Sequence, residues 1–156
     1  MNKKQIVVDS SVAVKWFNTK DEDNLDQADK ILKELEEEKI EIFMPEISKY
    51  EITNALLYKK LSLALIKTSL SAIYSMLVKF VPLDSNLATQ TVEIAYKNKI
   101  TFYDACFLSL AKKLKGELVT DNIKHQRKNI QDIKVIDLKD YQLSSVEVSP
   151  TGNPSS

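Results

Sequence analysis

QIVVDSSVAVKWF, residues 5–17, decides the fold. Three apolar residues, Ile6, Val7 and Val8, run straight into Asp9; two serines follow, and then an apolar stretch of helical character. A short apolar run that ends in polar, turn-forming residues reads as a strand buried on both faces. The stretch is therefore a strand–helix junction with Asp9 at the joint. An ionised carboxylate at such a joint is costly unless something uses it.

Outward from that junction the same alternation repeats. NLDQADKILKELEEEK predicts an amphipathic helix with Leu25, Ala28, Ile31, Leu32 and Leu35 along one side. IEIFM predicts a second strand. Pro45 suits the first turn of a helix over EISKYEITNALLYKK. LALIKTSLSAIYSMLVKF reads as another helix that merges into a strand near FVPL, and Asp84 or Ser85 caps the helix LATQTVEIAYKNK. Thr101 starts a helix over FYDACFLSLAKKLK that Gly116 ends. ELVT is a strand, DNIKHQRK a short helix and IKVIDL a last strand. Strands alternating with helices imply a three-layer α/β/α sandwich around a mostly parallel sheet. One domain over residues 1–141 is expected, with residues 142–156, rich in Ser, Pro and Gly, as a flexible polar tail.

Composition limits the chemistry. The 156 residues suit one domain, and a net charge of zero offers no global positive field to a polyanion. Two glycines, Gly116 and Gly152, exclude a glycine-rich phosphate cradle. One histidine, His125, excludes a paired-histidine metal site, and one cysteine, Cys106, excludes an internal disulfide. The apolar run before Asp9 is too short for a signal peptide, and no later run is long enough to span a membrane, so a soluble cytoplasmic protein is expected. An enzyme built from this chain relies on carboxylates, helped by hydroxyls and lysines.

Four carboxylates stand in unusual places. Asp9 and Asp121 each close an apolar strand and open a helix, which puts both on the rim where ligands bind in parallel sheets. The bland alternative for each is a helix N-cap. Glu51 falls at helical spacing with Ile47, Asn54, Ala55 and Tyr58, with Lys49, Lys59 and Lys60 on the solvated face; the alternative is a buried pair with a lysine, or a position at the edge of the stripe. Asp104 neighbours Phe107, Leu108 and Ala111, and its alternative is compensation of the helix dipole. Arg127 is the only arginine, so no arginine nearby neutralises the four acids. A hard divalent cation, Mg²⁺ or Mn²⁺, solves the problem with oxygen ligands alone.

At this point VVDSSVAVKWF, PEISKYEITNAL, KITFYDACFLSLA and ELVTDN, in that order, resemble the PIN-domain nucleases, and within them the VapC-type toxins of toxin–antitoxin pairs. The likeness runs from about residue 5 to residue 138. It implies that Asp9, Glu51, Asp104 and Asp121 are acidic metal-binding residues, that Ser10, Asn54 and Thr120 support them, and that RNA phosphodiesters are hydrolysed by metal-activated water to leave a 5′-phosphate and a 3′-hydroxyl. It also implies a small antitoxin partner and pairing into a homodimer. Asn122 departs from the charged residue many relatives carry there, and Asp121 is the most variable of the four positions.

Other residues have plainer readings. Trp16 is expected in the core, with base stacking the lesser alternative; Cys106 is expected as an inert core thiol and KELEEEK as a solvated helix face. Lys15 and Arg127 are weak candidates for contact with a substrate phosphate, and His125 lies nearby. Two rival classes remain: a catalytically inactive PIN-like module that binds RNA or protein, and a Mg²⁺-dependent phosphoryl-transfer or receiver-type domain using Asp9.

Overall fold

The computed structural model describes residues 3–126, 130 and 132–142; Arg127 and all of the expected tail but Gln142 lie outside them. Strands β1 (Lys4–Val8), β2 (Ile40–Pro45), β3 (Lys79–Val81), β4 (Glu117–Thr120) and β5 (Lys134–Asp137) form one sheet in the order β3-β2-β1-β4-β5, every pair parallel. The order reverses between β1 and β4, and ligands in such sheets bind beyond the strand ends at that reversal. A receiver-type domain has the order 2-1-3-4-5 instead, so the topology removes the receiver-type form of that rival.

Alternation along β1 explains the layers. Ile6 and Val8 face one core with α1 (Ser10–Ala13), α2 (Leu25–Glu36), α3 (Ser48–Tyr58) and α4 (Leu63–Ser75), contributing Val12, Ile31, Ile52 and Ile73. Val7 faces the other, built on α5 (Ser85–Asn98) and α6 (Phe102–Leu114) with Leu87, Phe107 and Leu110. The sandwich has three layers, as the alternation implies. Among the described residues no helix is long and apolar enough to cross a membrane.

Two helix starts follow the sequence: Asp84 and Thr101 accept from the backbone amides of Leu87 and Asp104. Ser62 caps α4 in the same way, accepting from the Leu65 amide. Four readings are corrected. Pro45 ends β2, in register with Val81, and α3 begins only at Ser48; a missing amide is tolerated where the ladder stops. The buried stripe of α3 is Ser48, Ile52 and Leu56, whereas Asn54 and Tyr58 are exposed. Glu51 is therefore at the edge of the stripe, and Lys49 lies 4.4 Å from the Tyr74 ring centroid rather than in open solvent. The α4 helix stops at Ser75. Lys115, not Gly116, holds the left-handed position after α6, with φ 52°. Gly116 is needed for space, since a Cβ there meets the Gln5 carbonyl oxygen at 2.8 Å.

The KELEEEK run is not wholly solvated either. Glu34 is buried, and the Tyr141 hydroxyl donates to it at 2.9 Å. Trp16 packs against the core as expected, and its indole N–H donates to the Ala28 carbonyl at 2.9 Å.

Candidate functional site

The site starts from the junction after β1. The Asp9 backbone amide bonds the Val119 carbonyl at 2.9 Å, and the Asp9 carbonyl accepts from Val12 and Ala13, which starts α1. Its carboxylate makes no capping bond to the helix. Instead Oδ2 accepts from the Thr120 hydroxyl at 2.7 Å and the Ser11 hydroxyl at 3.0 Å. The backbone alone does the capping, and the buried carboxylate is held by hydroxyls on both sides of the sheet reversal.

Glu51 reaches the same place from α3, where the Ser10 hydroxyl donates to its Oε1 at 3.0 Å. Asp104 reaches it from the first turn of α6, its amide fixed by the Thr101 cap. Among the described residues neither Asp9, Glu51 nor Asp104 has a lysine or arginine partner, and the Asp104 carboxylate has no hydrogen-bond donor. Burial pushes the Asp9 carboxyl above the ordinary carboxylate range; the Thr120 and Ser11 hydroxyls oppose this, and the Asp104 charge adds to it. Burial likewise raises Glu51, opposed by Ser10 and reinforced by the charges of Asp9 and Asp104. Asp9 and Glu51 thus each feel the charge of Asp104, and no lysine or arginine among the described residues pairs with any of the three.

Asp121 is placed differently. Its Oδ2 lies 2.9 Å from the Lys15 ammonium, and its Oδ1 accepts from the Asn24 amide at 3.1 Å. Lys15, expected as a phosphate contact, is one of the largest fully buried side chains. Its other acceptors are Glu22 and the Asp23 carbonyl, each at 2.8 Å. Burial works against that ammonium, but Glu22 and Asp121 outweigh it and hold its pKa above the ordinary value. Glu22 also pairs with Lys59 at the end of α3, and the two lysines hold its carboxyl low despite burial.

Of the supporting residues expected from the sequence, Ser10 and Thr120 touch carboxylates, whereas Asn54 is exposed and has no hydrogen bond among the described residues. Ser11 was missed. Its oxygen donates to Asp9 and accepts from the Asp121 amide at 3.1 Å. The signal was the pair of hydroxyls directly after a strand-end aspartate, where the first helical turn points side chains back at the strand. Cys106 is a buried thiol, pushed up to about 11 by burial and then by the Glu51 charge. The side chain of His125 is not among those described.

The donor set of Asp9, Glu51 and Asp104 is all oxygen and anionic, which suits a hard divalent cation. No three described His, Cys, Asp or Glu side chains surround one point closely enough to hold a metal unaided. Such a set fits an ion that uses few carboxylates and keeps several of its waters, as Mg²⁺ does.

Carboxylates gathered at the reversal of a five-stranded parallel sheet define an α/β protein with an acidic rim. Over residues 6–130 the sequence matches the PIN domain, and the chain belongs to the PIN domain family. Solved structures share the fold. VapBC2 from Rickettsia felis, bound to a DNA fragment from their promoter, aligns with TM-score 0.63 and 18% identity over 85% of this chain and 98% of that one. A toxin–antitoxin complex from Klebsiella pneumoniae aligns with TM-score 0.61 and 17% identity over 82% and 94%. Mycobacterium tuberculosis VapC20, a Sarcin-Ricin loop cleaving toxin, aligns with TM-score 0.57 and 17% identity over 72% and 85%. No curated protein matches the chain in sequence.

Proposed function

We propose that the protein is a Mg²⁺- or Mn²⁺-dependent endoribonuclease and the toxin of a type II toxin–antitoxin pair, acting in the cytoplasm. The observation behind this reading is the trio Asp9, Glu51 and Asp104, which share a rim with no cationic partner among the described residues. A bound divalent cation supplies an activated water and balances charge on the phosphate oxygens. Asp9, Glu51 and Asp104 are the residues that would hold it. The Thr120 and Ser11 hydroxyls fix the rotamer of Asp9 and keep its oxygens ready while it is ionised; Ser10 does the same for Glu51. No side chain has to attack phosphorus, in keeping with a Cys106 thiol that burial keeps protonated.

RNA is the favoured substrate on two grounds. VapC20, which shares the fold, is described as cleaving the sarcin–ricin loop. Phe102 and Tyr103, directly before Asp104, are 38% and 58% exposed and lie edge to face with centroids 6.5 Å apart. Exposed rings beside the acids offer stacking surfaces to unpaired bases. An antitoxin partner is supported by the toxin–antitoxin complexes among the structures of the same fold, and a docking face for it or for a second copy by the exposed Leu57, Leu63 and Tyr74 of α3 and α4.

The test is purified protein incubated with structured and unstructured RNA in Mn²⁺ and in chelator. Cleavage that needs Mn²⁺ and is lost in Asp9→Asn and Glu51→Gln is expected. Cleavage that persists in excess chelator refutes the metal-dependent reading, and RNA binding without cleavage in Mn²⁺ favours the inactive binding module.

A further inference from the structure

The position of Asp121 separates it from the other three acids. Both of its oxygens are engaged, Oδ2 by the Lys15 ammonium at 2.9 Å and Oδ1 by the Asn24 amide at 3.1 Å. Lys15 has three protons and three acceptors within 2.9 Å: Glu22, the Asp23 carbonyl and Asp121. Its side chain is 1% exposed, so a lost partner leaves the ammonium one acceptor short. Asn24 sits in left-handed backbone at φ 56°, a conformation that asparagine tolerates better than most residues. Glu22 extends the chain of contacts to Lys59 at the end of α3. The neutralising charge that Asp9, Glu51 and Asp104 lack is therefore built into the protein at Asp121.

We infer that Asp121 is a positioning residue: with Lys15 and Asn24 it pins the 18–24 connection against the end of β4, and cation binding is left to Asp9, Glu51 and Asp104. The assignment of the cation to those three acids rests on the metal-dependent reading above, whereas the ion pair does not. A buried ammonium removed from one partner leaves an uncompensated charge behind, so the pair is costly to break from either side. Asp121 meets the Asp9 shell only through its backbone amide, which bonds Ser11 at 3.1 Å. An Asn at this position keeps that amide. It loses the charge opposite Lys15.

Two measurements decide, and neither needs RNA cleavage. In Mn²⁺ titration calorimetry, Asp121→Asn keeps an affinity within about threefold of wild type, while Asp104→Asn loses on the order of 10-fold or more. Equal losses in the two variants overturn the inference, because they make Asp121 a ligand. If Asp104→Asn binds Mn²⁺ as wild type does, the metal reading and the three-acid assignment fall together, and the ion pair is judged on the melts alone. In chelator, Lys15→Met and Asp121→Asn each melt below wild type, by roughly 10 °C for the lysine. The double variant loses clearly less than the sum, because each substitution breaks the same pair. Additive losses overturn the pairing. Should Lys15→Met fail to fold, Asn24→Gly serves in the same cycle with Asp121→Asn, since glycine keeps the left-handed backbone and removes only the amide.

Discussion

Replacing Asp9 with Asn in the metal-free protein tests whether its burial stores strain for a cation or merely serves structure. Asp9 and Glu51 hold protons more tightly in the fold than in the unfolded chain, chiefly through burial. The folded state then binds more protons, so stability falls as pH rises from the ordinary carboxylate range through the raised values. Each tenfold difference in proton affinity corresponds to about 1.4 kcal/mol, or roughly 4 °C in melting temperature at this chain length. Asn removes the titration of Asp9 and the repulsion it exerts on Glu51. It keeps a carbonyl oxygen that accepts from Thr120 and Ser11. The assay is a set of thermal melts in chelator from about pH 5 to about pH 8, spanning the window in which a raised carboxyl titrates. Asp9→Asn is expected to show a flatter pH dependence than wild type, to melt no higher at the acid end, and to melt at or above wild type at the alkaline end. Excess Mn²⁺ then stabilises the wild type by about 2.7 kcal/mol at a hundredfold excess over Kd, and the variant by much less. A variant that melts below wild type at every pH with a parallel slope refutes the reasoning and makes Asp9 a structural anchor.

Three further outcomes follow from the geometry. Gly116→Ala drives a Cβ to 2.8 Å from the Gln5 carbonyl oxygen and should destabilise by about 1–3 kcal/mol, read from denaturant midpoints. Tyr103→Ala should raise KM for unpaired RNA severalfold, consistent with about 1–3 kcal/mol of stacking per base, while leaving Mn²⁺ affinity in a calorimeter unchanged. Cys106 should resist alkylation in the folded protein at neutral pH and react fully in denaturant, because its thiol is buried and shifted to about 11.

The period of the apolar residues made the layers legible. Ile6, Val7 and Val8 sit in a run short enough to be a strand and apolar enough to be covered twice, and the helices that cover it show their own stripes. Side chains whose size misleads were harder. Ser48 lies in the buried stripe of α3 while Tyr58 is mostly exposed, so polarity at helical spacing placed Glu51 deeper than it sits. Asp9 looked like a cap because strand-end aspartates often are; only the fold shows its oxygen turned to Thr120, 111 positions away. A similar separation in sequence hid the Lys15–Asp121 pair, since nothing local distinguishes a buried lysine from a solvated one until β4 lies beside β1. That dependence on long-range contact is why the three acids of the rim were readable as misplaced charges, whereas Ser10 and Thr120 entered only through the family resemblance and the Lys15 pair not at all.

The position of β1 in the middle of the sheet has a consequence for the order of assembly. β1 finds β2 early, when Ile42 becomes available to Ile6, but its other edge stays open until Glu117, Leu118 and Val119 arrive. Until then Asp9 has neither the hydroxyl of Thr120 nor the amide partner at Val119, and Asp104 has only just been added. A chain still emerging from the ribosome therefore holds an unpaired strand edge and an incomplete rim, a state prone to association. The rim is complete only when almost all of the described chain is in place, because the Thr120 and Val119 partners of Asp9 arrive with the fourth of five strands.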